Sequence, residues 1–538
     1  MPSDCLSYKE TNYFSRLITD YLDQKDELKQ FYNRFPKLEN FKDQIDEKGT
    51  FFTAEKRNVL VKSLRKQYQN LELSAEVETN LQSLLQNNTF TVTTGHQLNL
   101  FTGPLYFLYK IVSAINLASA LKKEYPQNNF VPVYWMATED HDFEEINFFN
   151  LNGKKFKWNN TQPEAGKDAV GNLKTEGLAE VFNLFSKEVG GSKTAEHLKD
   201  LFQNAYLAHD NLTDATRFLA NELFKDYGLI IIDGDDRDLK KEFMPYLRKE
   251  LFDQVSHKAS DSTIENLEKL GYGVQVNPRE INLFYLNNGL RERLLEQDGR
   301  FFLNDTDISW SNIEMGEELE NYPWRFSPNV ITRPLYEEVI LPNLCYIGGG
   351  GELAYWFELK EYFKEAQVPF PILLLRNSAL IVTAKQEKKR KRLGISRAEL
   401  FLKQHELINR QVRRISNIDI DFSKQKQHLV DQFKGMHELA EQTDVTFLNA
   451  VKAQEVKQLK GLDNLEERLL KAQKRKLKDE VTRIAQLQND LFPFKGLQER
   501  HTNFSEMYLE YGEQLIPALI ENLDPLQLDF KIITLGKE

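Results

Sequence analysis

Apolar residues along the chain fall into two kinds of run. Short β-branched and aromatic blocks stand at 89–94 (TFTVTT), Phe130–Met136, Leu229–Ile232, Cys345–Ile347 and Ile372–Leu375, and each reads as a buried strand. Helical spacing fills the intervals. Leu17, Tyr21 and Leu22 form one stripe and Val59, Leu60 and Leu64 another. Residues 1–88 therefore read as a helical layer packed on the core, with Pro36 breaking the first helix. After the first strand comes the loop Gly95–Gly103. Pro104 then opens a helix with the buried stripe Leu105, Leu108, Val112 and Ile115. Strand, loop, helix and strand make a parallel βαβ unit. The strands together predict a doubly wound α/β core over 89–380. A large mixed insertion at about 146–330 carries part of a substrate pocket.

Beyond Arg376 the pattern changes. Residues 385–392 are a charge run, and Ser396-Arg-Ala-Glu399 is a capping box. From 421 to 491 the chain is proline-free, and Leu470, Leu477, Ile484 and Leu491 recur every seven residues, with Val481 between. That is a coiled-coil seam. Phe433, Met436 and Ala440 mark an earlier helix, and Thr443-Asp444 or the segment near Gly461 supplies the turn of an antiparallel hairpin. Pro493 and Gly496 end it. Residues 381–496 thus read as a helical coiled-coil domain, and 497–538 as a return to the globular part. Such a hairpin buries only a narrow stripe, which predicts a homodimer through the coiled coil.

Composition narrows the function. The 538 residues carry a net charge of −11, which repels phosphate backbones and disfavours nucleic-acid binding. No apolar run reaches membrane-spanning length, and the N-terminus, Met1-Pro-Ser-Asp-Cys-Leu, lacks leader features. Two cysteines, Cys5 and Cys345, exclude a disulfide framework and a cysteine-based zinc site. These features predict a cytoplasmic protein without a membrane partner.

Candidate chemistry sits after the strands. Gly95 and Gly103 let backbone approach a ligand, the helix start near Gly103 offers N–H groups to an anion, and His96 and Gln97 stand at a strand's carboxyl end. Glu139, Asp140, His141, Asp142, Glu144 and Glu145 follow the second strand. They suit an ammonium, a base for an attacking amine, or a divalent ion; Glu144 and Glu145 read as caps or solvent-facing acids. Gly348, Gly349, Gly350 and Gly351, followed by Glu352, form a cradle for phosphate or carboxylate, though not a P-loop. Arg333, Tyr336, Arg376 and Asn377 offer clamps for carboxylates. Each loop has a bland alternative: a plain turn, a solvated strand end, or a helix cap.

Taken together, Thr94-Gly-His-Gln-Leu-Asn-Leu-Phe-Thr-Gly-Pro-Leu-Tyr106, Glu139-Asp-His-Asp142, Arg333-Pro-Leu-Tyr336, Gly348-Gly-Gly-Gly-Glu-Leu-Ala-Tyr-Trp356 and Leu491-Phe-Pro with Leu497-Gln-Glu-Arg500 resemble the cysteine-adding enzymes of bacillithiol biosynthesis, over about residues 90–500. The resemblance implies a Rossmann-like core of the class I nucleotidyltransferase and aminoacyl-tRNA synthetase kind, with connecting-peptide insertions, an appended coiled coil and a dimer. It implies an ATP-dependent ligase, with magnesium accompanying the nucleotide and no zinc, that adds cysteine to glucosaminyl-malate. On this reading His96, Asp140 and Asp142 are catalytic, His96 stabilising phosphate charge. Gln97, Asn99, Tyr106, Glu139, His141, Arg333, Tyr336, Glu352, Arg376 and Asn377 bind substrate. Gly95, Gly103, Gly348, Gly349 and Gly350 bind nucleotide. The chain departs from the family's usual Gly-Gln-Gln at Gly95-His96-Gln97, and it has no Lys-Met-Ser-Lys-Ser motif. Two other readings compete: a nucleotide-binding scaffold with a vestigial site, and a class I-type tRNA-modifying enzyme.

Overall fold

The computed structural model describes residues 4–160, 168–287 and 289–536. The chain divides into two units. One comprises residues up to Ile381 together with Gly496–Gly536, and the other is Val382–Lys495.

The first unit is built on five parallel strands: β1 (Thr89–His96), β2 (Asn129–Met136), β3 (Ile230–Asp233), β4 (Asn343–Gly348) and β5 (Ile372–Leu375). Their order is β5-β4-β1-β2-β3, every pair parallel. Almost every residue of β1, β2 and β4 is buried. Both faces of the sheet are covered, so its strands read as continuous apolar runs rather than alternating ones. Helix α1 (Tyr106–Glu124) crosses from β1 to β2. Phe90, Val92, Ala114, Leu117, Phe130, Leu344 and Ile372 share one core cluster. The order reverses between β1 and β4, and the crevice at such a switch point is where open α/β sheets bind ligands.

The stretch 146–330 is not one insertion, because β3 lies inside it and pairs with β2. Before β3 it holds a hairpin (Phe148–Leu151 with Lys154–Lys157) and three helices; after β3 come α2 (Arg237–Asp253), two further helices and strands of a five-stranded antiparallel sheet. The apolar block at Leu229–Ile232 fits both a core strand and part of an insertion, and pairing decides between them. Residues 7–88 hold only helices and their connections, and Asp4–Leu6 is a strand that pairs antiparallel with Phe530–Leu535. The helical layer is tied inward by buried polar contacts. Tyr21 Oη donates to Leu373 O at 2.7 Å, and Lys48 Nζ meets Glu338 Oε2 at 2.6 Å with both side chains fully buried. Helices α3 (Arg333–Ile340) and α4 (Gly350–Glu358) flank β4.

The second unit contains α5 (Gln404–Ile415), α6 (Ser423–Ala440), α7 (Val445–Lys476) and α8 (Lys478–Leu491). The hairpin turn falls at 441–444, where Asp444 caps α7, and Gly461 lies inside α7. The α6–α7 contact is made by Phe433, Ala440 and Val451, with Leu429 and Leu448 against them. The seven-residue seam has another neighbour. Leu470, Leu477 and Val481 pack on Ile408, Val412 and Ile420, and Leu477 sits at the break between α7 and α8. A heptad register defines a stripe but not which helix covers it.

Candidate functional site

A cavity of about 690 Å³ opens at the carboxyl ends of β1, β2 and β4. Three loops reach it: Gly95–Gln97, Thr138–Asp140 and Gly349–Glu352. Tyr106, Arg333 and Arg376 also line it.

On the β1–β4–β5 side the wall is cationic, with each buried cation held by its own carboxylate. Lys110, in the second turn of α1, donates from Nζ to Gly95 O at 2.6 Å and meets Glu352 Oε2 at 2.6 Å. Burial pushes its pKa down against the pull of Glu352. Glu352 also takes the Gly349 N–H and the Tyr346 hydroxyl, each at 2.8 Å. Burial opposes its ionisation, yet Lys110 and these donors hold it below the usual carboxylate range. Arg333 donates to Glu337 Oε2 at 2.6 Å and to Tyr355 Oη at 3.1 Å. Burial and the neighbouring Arg333, with opposite effects, leave the Glu337 carboxyl pushed up to about 8. Arg376 donates to Glu499 Oε1 at 2.8 Å and covers the Tyr106 ring at 5.0 Å, while its buried Nε has no partner. Gly349 lies beside that Nε: a Cβ there would stand 3.7 Å from it. Arg500 completes the wall and has no ion-pair partner among the described residues. The first turn of α4, at Gly350 and Gly351, brings helix N-terminal N–H groups to the same wall.

The opposite wall is acidic. Gln97 Nε2 donates to Asp140 Oδ2 at 2.9 Å and to Glu145 Oε2 at 2.8 Å. Burial works against the Asp140 charge, but hydrogen bonds from His141 and Gln97, with the Arg291 charge nearby, hold its carboxyl well below the usual range. Glu139 joins Lys240 at 2.6 Å. Arg291 reaches in from a distant strand, its guanidinium 3.7 Å over the Phe284 ring.

Several sequence expectations change here. His96 is buried against Tyr106 and Phe107, and its Nδ1 donates to Gln97 O at 2.7 Å. Burial, and next the Lys110 charge, push its pKa down to about 3. The ring is therefore neutral, its other nitrogen bears no proton, and it cannot donate to a phosphate. Asp142 caps the short helix Phe143–Ile146, accepting from Glu145 N. His141 is half-exposed and meets Arg291 at 3.1 Å, outside the cavity lining. Asn377 is buried between Ser113 and Asp524 O. Tyr336 is buried with its hydroxyl on Gly234 O. Asn99 donates to Glu145 O. Gly103 (φ +62°) packs on Asn99 and accepts from Asn503, and it does not line the cavity, which α1 reaches instead through Tyr106 and Lys110. Gly348 ends β4, and its carbonyl accepts from Arg376 N. Glu145, expected to cap or face solvent, instead lines the cavity; Glu144 does face solvent, paired with Lys157. Sequence pattern does not single out Lys110 or Arg291, and it marks Arg500 only as the end of the Leu497–Arg500 motif, with no role at the site. Lys110 leaves a trace of its own, a cation in the second turn of a helix that is apolar on nearly every side until Lys122 and Lys123 in its last turn.

Comparison with known proteins bears on the whole chain. The family model "Bacillithiol biosynthesis BshC, N-terminal Rossmann-like domain" matches residues 1–377, and "Bacillithiol biosynthesis BshC, C-terminal coiled-coil domain" matches 379–535. A protein of Christiangramia forsetii named as cysteine ligase BshC is 64% identical over the full length of both chains. One of the same name from Flavobacterium johnsoniae is 58% identical, covering 99% of this chain and 100% of its own. A crystal structure described as an arginyl-tRNA synthetase from Campylobacter jejuni spans 85% of this chain and 99% of its own at 10% identity and a TM-score of 0.21, too remote to inform the site.

Proposed function

The chain belongs to the bacillithiol-biosynthesis BshC family, and from that premise we propose that it joins the carboxyl of L-cysteine to the free amine of glucosaminyl-malate, with ATP activating the carboxylate. A carboxylate oxygen attacks a phosphorus of ATP and expels pyrophosphate or ADP, giving an acyl-adenylate or acyl-phosphate. The amine nitrogen then attacks the acyl carbon. AMP or phosphate leaves with the bonding electrons, and the nitrogen gives up a proton. The observation that carries this reading is the two-signed cavity. Its cationic wall, with Arg333, Arg376, Arg500 and the N-terminus of α4, suits carboxylate and phosphate oxygens. Its acidic wall, with Glu139, Asp140 and Glu145, suits an ammonium and then the amine proton. Asp140, ionised and oriented by Gln97, binds the ammonium, and Glu139, whose carboxyl burial pushes up, is the better placed base. His96 supports the Tyr106 ring. A side chain at Gly95 would press on the Tyr346 hydroxyl that donates to Glu352.

Magnesium would enter with the nucleotide's phosphates, since among the described residues no group of three or more His, Cys, Asp or Glu is arranged to hold a metal ion. No helix among the described residues is long and apolar enough to cross a membrane, and we assign the reaction to the cytoplasm. A homodimer through the helical unit is supported by exposed apolar side chains on α6 and α7, among them Leu439, Val445 and Val456.

The test is incubation with cysteine, glucosaminyl-malate and ATP, followed by mass analysis of the thiol product and of AMP against ADP. Product that requires all three substrates is expected. No product, or product formed without ATP, overturns the proposal.

A further inference from the structure

One lysine binds the acidic wall together without touching the cavity. Lys240, in α2, is 1% exposed, and its Nζ donates to Glu139 Oε1 at 2.6 Å, Asp235 Oδ1 at 2.7 Å and Trp324 O at 3.1 Å. An ammonium has three protons, so none remains for a ligand. The three acceptors come from three segments: the loop after β2, the loop after β3, and the turn Pro323–Arg325 that leads into strand Phe326–Pro328. Each segment supplies cavity lining, as Glu139, Gly234 and Pro328. We propose that Lys240 is a positioning residue for the ligation: it holds Glu139 ionised and aimed at the cavity, and fixes the three wall segments to one another. This rests on reading the cavity as the ligation site.

The surroundings leave Lys240 as the chief counter-charge. Glu139 faces Asp235 on the loop after β3 and Tyr336 on α3, and Asp233 and Asp236 lie near that same tyrosine. Arg291 approaches from strand Leu290–Gln297 and also meets Asp140. Arg217 serves Asp233 and Asp214, and Arg237 is stacked on Trp324. Burial pushes the Glu139 carboxyl up and Asp235 adds to it, while Lys240 pulls it down. Lys240 itself stays above the ordinary lysine range, burial being outweighed by Asp235 and Glu139. Without the ammonium, the buried Glu139 carboxylate faces the more exposed Asp235 with no cation between them, and Glu139 takes up a proton more readily.

The experiment compares the full-length wild type with Lys240→Met, Lys240→Gln, Lys240→Arg, Glu139→Gln and the Lys240→Met/Glu139→Gln double variant. Two readouts are taken: the pH profile of kcat/KM for the amine substrate, and a difference-infrared titration of the Glu139 carboxyl, assigned by subtracting Glu139→Gln. Lys240→Met and Lys240→Gln should raise the Glu139 midpoint, move the acid limb to higher pH and lower kcat/KM by roughly tenfold to a hundredfold. Lys240→Arg should restore all three. The double variant should lose no more than Glu139→Gln alone. Lys240→Gln keeps hydrogen-bond donors, and the double variant keeps no facing charges, so one of them folds even where Lys240→Met does not. An unmoved Glu139 midpoint, or losses that add in the double variant, overturns the proposal. Should the wild type make no product, the functional reading has failed, and the titration alone still decides the role of Lys240.

Discussion

Glu358 closes α4, is 1% exposed and accepts backbone N–H groups from Gln275 at 2.6 Å and Val276 at 3.2 Å. Both of those residues line the cavity, so this carboxyl fixes a piece of the wall. Burial pushes it from the ordinary 4.5 up to about 7, against the two N–H donors that favour its charge. The folded state therefore holds the proton more tightly than the unfolded chain. The stabilising contribution is complete below the unfolded value of 4.5 and is lost as pH rises through 7. Each tenfold difference in proton affinity is worth roughly 1.4 kcal/mol, so ionisation costs the folded state about 3 kcal/mol. Glu358→Gln keeps the shape and never ionises. Its stability relative to wild type should rise by about 2 to 3 kcal/mol between about pH 5 and pH 8, with other titrating groups cancelling in the difference. Urea unfolding followed by tryptophan emission is the assay, because all five tryptophans lie in the first unit. Parallel stability curves for the two proteins across that range would refute the reasoning.

Three further outcomes follow from the packing. Lys48→Met leaves Glu338 buried without its cation and should destabilise the first unit by about 3–5 kcal/mol, read by the same unfolding assay. Asp142→Ala removes a helix cap; it should cost about 1 kcal/mol while kcat/KM stays near wild type, and a large loss of activity would return Asp142 to the reaction. Ile484→Asp places a charge at a 1% exposed site. It should lower helical circular dichroism or its melting point in the second unit, where a surface position on a dimer seam would change only the light-scattering mass.

Much of the core was legible because a strand buried on both faces has to be apolar along its length. TFTVTT, Phe130–Met136 and Ile372–Leu375 announce themselves within a residue or two. The candidate site was legible in part, since strand ends locate loops. Gly95–Gln97, Glu139–Asp140 and Gly349–Glu352 therefore meet in one cavity. Strand ends do not say where a side chain turns. Asp142 and Asn377 lie within two residues of cavity-lining residues, yet Asp142 turns to a helix cap and Asn377 to Ser113 and Asp524 O. Arg291 arrives through tertiary packing and had no local signal, and Arg500 stood in the Leu497–Arg500 motif with nothing local to place it at the cavity. Lys110 had one, as a charge on a helix that is apolar nearly all round until its last turn, and such a residue must have a buried partner. The seven-residue seam shows the same limit in the second unit, where periodicity fixed the stripe and α5 covers it.

The central claim is that ligation takes place in the cavity at the β1–β4 switch point. Gly351 lines that cavity, and a Cβ added there meets nothing within 4 Å, so Gly351→Trp should fill the space without straining the fold. The decisive measurement is its rate of product formation from cysteine, glucosaminyl-malate and ATP beside that of the wild type. Unchanged thermal unfolding with product formation abolished is the expected result; a folded Gly351→Trp that makes product at the wild-type rate would contradict the account.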